Sequence, residues 1–337
     1  MKRFFSFLVL AVLFTGCDDG DLQEVSFEFD ESAALHCNEN VNSDKFFIYK
    51  TTDKRALILE LAENNFTTTI TSDTVAQNIV NGQIKLVLNN DNKLTYRVYN
   101  DDITNTTICS TFPPAYPVVT EERVASSGEI YIKTTALKSE PKADGSTEIT
   151  SYLHTINFSD ITFNVPGGSQ RNESLPAITY TKLATPFNDF STSFPIVNCA
   201  GDMRFLFKIT NSQSLELRLS DADAAYLFSN DITAPKTRLI NSENTLTHKF
   251  FSKTATTPLT EAYLCSAQTP AFPTLKETWK AADGVEGVSG IIEVITSETL
   301  DGYKHLVTFR NVKMTRGSQN FLLKSEFVFG EIEIDVP

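Results

Sequence analysis

The second half of this chain restates the first in the same order, and that repetition limits the fold more than any other feature. Asp44-Lys-Phe-Phe-Ile-Tyr-Lys-Thr-Thr-Asp53 runs without gaps beside Asp202-Met-Arg-Phe-Leu-Phe-Lys-Ile-Thr-Asn211, an offset of 158. The same offset pairs Leu57, Leu59 and Leu61 with Leu215, Leu217 and Leu219, and Asp73 with Asp231. Farther along, Leu94-Thr95 and Val98-Tyr99 meet Leu246-Thr247 and Phe250-Phe251. Cys109-Ser110 with Pro114-Ala-Tyr-Pro117 meets Cys265-Ser266 with Pro270-Ala-Phe-Pro273, and His154, Ile156, Phe158 and Ile161 meet His305, Val307, Phe309 and Val312. Chance supplies single matches, not a run of them in unbroken order. The unit is far longer than a solenoid repeat and long enough to close a core of its own, so the reading is two copies of one domain, 22–183 and 184–337.

Within each copy the local pattern is that of strands. Asp44 to Lys50, Ala56 to Leu61, Gln83 to Leu88 and Leu94 to Tyr99 alternate apolar with polar residues or are rich in β-branched and aromatic ones; such runs suit a pleated, half-buried surface. Asn89-Asn-Asp-Asn92 punctuates them, and Ala143-Asp-Gly-Ser146 and Leu300-Asp-Gly302 mark matching hairpins, because Asp-Gly accepts the positive φ of tight turns. Helical signals are confined to Ser72 to Val80 and Leu275 to Ala282. Many short strands with regular turns predict an all-β chain: two tandem duplicated antiparallel domains, each a β-sandwich or barrel-like.

The N-terminus predicts where these domains live. Lys2 and Arg3 precede an apolar run from Phe4 to Phe14 that is too short to span a bilayer permanently, and small Gly16 stands before Cys17. This resembles the lipobox of bacterial lipoproteins, a resemblance confined to the first ~20 residues. It implies a signal peptide over 1–16, lipidation of Cys17 and a membrane tie through that residue; the other reading is an ordinary secretory leader beside a structural cysteine. Residues 17–21 then form an acidic tether, Asp18-Asp19-Gly20-Asp21. It reads either as a solvated linker or, by resemblance, as the acidic surface-export signal of Bacteroidota lipoproteins, which implies the outer membrane and its outer face. Under enterobacterial sorting rules the same Asp18 implies retention at the inner membrane.

Export and duplication together settle the cysteines. Beyond Cys17 there remain Cys37, Cys109, Cys199 and Cys265, an even set in a chain sent to an oxidising compartment. Cys37 precedes the Asp44 strand as Cys199 precedes the Asp202 strand, and Cys109 and Cys265 share their surroundings. Copies of one domain carry the same bond, which selects Cys37–Cys109 and Cys199–Cys265 over the other two pairings. No two cysteines stand at metal-ligand spacing, so zinc is not expected.

Charge and motifs narrow the function. The formal charge is −13, and −15 once Lys2 and Arg3 leave with the leader; this argues against nucleic acid as a partner. The sequence holds no Gly-x-Ser-x-Gly, phosphate loop, dinucleotide fingerprint or His-Glu-x-x-His. His154 and His305 occupy equivalent places, each in a strand-like segment, where a satisfied core histidine is the reading preferred over a ligand or base. Asp221-Ala-Asp223 and Asn90-Asp91-Asn92 lack the glycine and distal Glu of a calcium loop and read as turns. Trp279, the only tryptophan, faces Arg123 of the first copy at an offset of 156; it is either a core residue or an exposed stacking platform for a sugar or partner. Asp73-Thr74-Val75 resembles the O-glycosylation acceptor of the Bacteroidota. The expectation is a non-enzymatic, cofactor-free envelope lipoprotein that binds or spaces. A surface glycan-binding role, like that of the tandem-domain lipoproteins accompanying polysaccharide importers, is the alternative, and an envelope hydrolase comes third. The partner is the membrane through Cys17, with an envelope protein or a glycan beyond it.

Overall fold

The computed structural model describes residues 29, 33–37, 45–110, 112, 114–165, 168–172, 175–190, 194–252 and 257–335. The leader, Cys17 and the acidic tether lie outside them. The first half contributes β1 (Leu35–His36), β2 (Lys45–Thr52), β3 (Arg55–Ala62), β4 (Ile79–Val80), β5 (Gln83–Val87), β6 (Lys93–Tyr99), β7 (Val119–Lys138), β8 (Ile149–Val165), β9 (Gly168–Asn172) and β10 (Ile178–Leu183). The second contributes β11 (Val197–Asn198), β12 (Phe205–Ile209), β13 (Gln213–Arg218), β14 (Lys236–Leu239), β15 (Thr245–Phe251), β16 (Leu275–Ala281), β17 (Ile291–Glu298), β18 (Gly302–Arg310), β19 (Lys313–Arg316), β20 (Gln319–Leu322) and β21 (Glu326–Asp335). Among the described residues the strand pairs are antiparallel and no barrel closes; the architecture is sandwich-like.

The second half has a seven-stranded sheet, β11-β12-β13-β15-β16-β19-β20, and a four-stranded one, β14-β17-β18-β21. The first half has the same order written through two longer strands. One end of β7 pairs with β6 and the other with β5, while β8 runs from β10 to β9. The bend in β7 falls at Gly128, with φ of 141°, where a Cβ would stand 2.4 Å from the Ile161 side chain, so only glycine fits. In β8 it falls at Asp160, with a left-handed φ of 57°; the equivalent Asn311, at 51°, separates β18 from β19. Asp and Asn tolerate that region better than other side chains.

Each half has its own apolar core. Leu57, Leu59, Leu94, Ile130, Ile132, Ile156 and Phe163 are buried in the first, and Leu215, Leu217, Leu246, Ile292, Val294, Val307 and Met314 in the second. The two disulfides are Cys37–Cys109 and Cys199–Cys265, as duplication required. Each pins a short helix onto the outer face of its sheet: α1 (Asn105–Cys109) in the first copy and, beyond α2 (Asp221–Leu227), α3 (Glu261–Leu264) in the second. Thr104 and Thr260 stand at the equivalent N-caps. Closing loops of 72 and 66 residues removes chain entropy from the unfolded state worth about 4 kcal/mol each.

Three local expectations are corrected. Leu275–Ala281 is a strand, not a helix: Glu277, Trp279 and Ala281 turn to the protected face while Lys276 and Lys280 turn to water, a period of two. Ser72 to Val80 holds a single 3-10 turn at Thr71–Asp73 and then extends into β4, since Val75 is fully exposed and has no core to face. Asp221-Ala-Asp223 is not a turn but the first turn of α2, where Ser220 accepts a hydrogen bond from the Asp223 amide and acidic residues favour the helix N-terminus. Asn89 to Asn92 is a turn, its Asn89 Oδ1 accepting the amides of Asp91 and Asn92. Both hairpins form, for different reasons: Gly145 has φ of 78°, whereas a Cβ on Gly302 would lie 2.1 Å from the Ile334 carbonyl oxygen.

Candidate functional site

The histidine pair sits in the two cores. Thr134 on β7 and Thr296 on β17 occupy equivalent positions, and their hydroxyls lie 2.8 Å from His154 Nδ1 and 3.0 Å from His305 Nδ1. Lys236 Nζ donates to the same Thr296 Oγ1 at 3.0 Å. Both imidazoles are fully buried, and neither Nε2 has a hydrogen-bond partner among the described residues. Burial, then the charge of Lys182, pushes the His154 pKa down to about 4; burial and Lys236 lower His305 in the same direction. A neutral ring sealed against Phe66 and Tyr180 has no route to a substrate. A third buried histidine, His248, lies 2.9 Å from Gln213 Oε1 and is also held neutral by burial. His154 and His305 are core fittings of the duplicated frame, whereas His248 stands where the first copy has Tyr96.

The remaining singled-out residues converge on the seam between the copies. Trp279 is 3 % exposed and packs against Phe187 and Phe321, with the Arg316 guanidinium 5.4 Å from its ring centre. Its role as an exposed platform is therefore excluded. Arg316 forms an ion pair with Glu277, both side chains largely covered, and its Nη2 donates to the Thr68 carbonyl at 2.7 Å across the seam. Thr68 Oγ1 donates back to Glu277 Oε1 at 2.6 Å. Tyr152 OH donates to Gln319 Oε1 at 3.2 Å, and burial, then the Glu277 charge, pushes this phenol up to about 12. Asp73 Oδ2 accepts the Ser318 amide at 2.7 Å, beside Gly317 in the left-handed region, and Thr74 Oγ1 donates to the Ile70 carbonyl, so the glycosylation-like tripeptide lies on this junction. Backbone bonds complete it: Thr147 N donates to Leu322 O and Ser325 N to Asp144 O, each at 2.9 Å.

A cleft of about 330 Å³ opens beside the seam, edged by Lys133, Lys138, Thr135, Ser72 and Asn320. Its buried hydroxyls are already engaged, Thr134 with His154 and Thr71 with the Thr134 amide. Among the described residues no group of three or more His, Cys, Asp or Glu side chains is arranged to hold a metal ion, and no helix is long and apolar enough to cross a membrane. The pairing of duplicated positions was legible in sequence; the seam was not, because Thr68, Glu277, Arg316 and Gln319 belong to no motif and meet only in three dimensions. No known protein family, curated protein or solved structure matches this chain.

Proposed function

We propose that this is an exported, lipid-anchored envelope protein without catalytic activity, whose two copies form one stiff unit that carries an interaction surface away from the membrane. The observation that carries the reading is the pair of equivalent disulfides, which need an oxidising compartment and so agree with a leader ending at Gly16. The seam supports the spacer role. Interfaces between domains in one chain are by default mobile, whereas here covered side chains and backbone bonds from both copies interlock. The sealed, neutral histidines agree with a role other than catalysis. Attachment runs through Cys17 to the outer membrane, with the second copy farther from the lipid.

Cell fractionation tests the anchor. Cys17→Ser is expected to move the protein from the membrane to the soluble fraction with both disulfides formed. Retention in salt-washed membranes overturns the lipid anchor, since processed lipoprotein acyl chains are what would hold an acidic chain to the surface.

A further inference from the structure

The cleft beside the seam differs in charge from the rest of the molecule. The chain carries 42 acidic residues against 29 lysines and arginines, yet among the described residues no Asp or Glu lines this cleft, and two exposed lysines, Lys133 and Lys138, edge it. Elsewhere Lys45, Lys85, Lys142, Lys249 and Lys304 each meet a carboxylate. Lys133 and Lys138 meet none among the described residues. In an acidic protein, two cations left without counter-charges draw anions to one place. The shared frame does not demand them: at the offset of 162 that pairs Thr134 with Thr296, Lys133 becomes Ile295 and Ala136 becomes Glu298.

The walls indicate what kind of anion enters. Pairing of β7 with β5 stops at Ile132, so from Lys133 to Lys138 the strand is bonded to β8 alone and its other edge faces the cleft. On that edge Thr71 Oγ1 accepts the Thr134 amide at 3.3 Å, and by alternation the Ala136 amide points the same way. Across from it stand Ser72 of the first copy and Ser318 and Asn320 of the β19–β20 hairpin, so both copies build the site. Hydroxyl, carboxamide and main-chain donors, with no aromatic ring in the described lining, suit a polyhydroxylated ligand. The volume of about 330 Å³ is at the lower end of small-molecule sites. Lys133 and Lys138 lie about 16 Å apart along the extended strand, a separation that matches two negative groups on an elongated ligand rather than one compact anion. A peptide adding as a strand needs a run of free rungs, and Thr71 has already taken the one at Thr134.

We propose that this cleft binds an acidic oligosaccharide, with Lys133 and Lys138 each pairing with a uronate carboxylate and the Ala136 amide donating to a ring hydroxyl. The site goes beyond the anchoring role and stands or falls without it, because binding is measured on the purified protein.

The probe is α-1,4-linked digalacturonate, with α-1,4-galactobiose, which has the same linkage and no carboxylate, as the contrast, both followed by ligand-observed NMR titration. Digalacturonate is expected to bind and galactobiose not. Lys133→Ile, which copies the second half, and Lys138→Gln are each expected to weaken binding about 2- to 5-fold, the effect of one exposed ion pair. The double variant is expected to abolish it with the thermal melt still cooperative. Lys304→Gln removes the same charge from a lysine that already pairs with Glu331 at 3.3 Å, and is expected to leave the affinity unchanged. No binding of digalacturonate, equal binding of galactobiose, unchanged affinity in the double variant, an equal loss in Lys304→Gln, or tighter binding of inorganic phosphate or of a tetra-aspartate peptide overturns the proposal.

Discussion

Acid should unfold this protein through its buried histidines before its carboxylates titrate, and His154 gives the magnitude. Its folded pKa of about 4 lies below its ordinary value of 6.5. Between those values the unfolded chain therefore binds a proton that the folded one refuses. Stability from this group is complete above pH ~6.5 and is lost as pH falls toward 4; a gap of roughly 2.5 units at ~1.4 kcal/mol each amounts to ~3 kcal/mol. His248 and His305 shift in the same direction and steepen the slope. The lowered carboxylates, Asp101, Asp144, Asp202, Asp223 and Asp231 from 3.8 and Glu129 from 4.5, destabilise as pH falls below about those values, at the acid end of the histidine window. Urea unfolding at half-unit steps from pH 7.5 to 4.5 measures the slope. His154→Asn keeps an acceptor for the Thr134 hydroxyl but cannot titrate, so its curve should be flatter than that of the native protein by up to one proton. Equal slopes in the two proteins, or a native stability that is level from pH 7 to 5, would refute the buried-neutral assignment.

Trp279→Ala should destabilise the protein by about 3–5 kcal/mol in urea unfolding, the cost of emptying a large aromatic site in a core; a loss under about 1 kcal/mol would mean that the ring does not pack as described. Arg316→Met leaves Glu277 covered without its cation and should cost up to about 3 kcal/mol. Calorimetry of that variant should resolve two transitions where the native chain gives one, and a single transition would mean that the copies are coupled by other contacts.

How much was legible in the sequence depended on whether the signal was periodic. Alternation in Lys45–Thr52 and Arg55–Ala62 is a property of neighbouring residues, and the strands formed there. Duplication carried information across the chain: it paired Cys37 with Cys109 and Cys199 with Cys265 where spacing alone allows three pairings. Leu275–Ala281 misled because Lys-Glu-Thr-Trp-Lys contains good helix formers, and helix propensity is overridden when a flanking sheet offers Trp279 a buried face.

In a duplicated protein the residues kept in both copies answer to the frame, and sites must be sought where the copies part. The Thr134–His154 and Thr296–His305 pairs belong to the frame, as do Lys50 and Lys208, which reach the Phe29 and Phe190 carbonyl oxygens in their respective cores. On the outer face the copies keep a cation at one register position and change what it faces. Arg97 of β6 stands opposite Glu122 of β7, and Lys249 of β15 stands opposite Thr278 of β16. With no carboxylate across from it, Lys249 turns to Glu216, fully buried on β13 and 2.6 Å away, where the first copy has Ile58. Ser214 Oγ donates to the same carboxylate at 2.7 Å, which helps to offset its loss of water. Thus the second copy pairs its cation with a buried carboxylate and sets Tyr263 against Phe251, while the first pairs Arg97 with the surface carboxylate of Glu122 beside an open cleft. Neither cation can be moved alone, because removing it would leave Glu216 buried without a counter-charge or strip Glu122 of its partner. The paired changes therefore separate a copy built to close the face from one built to keep it open.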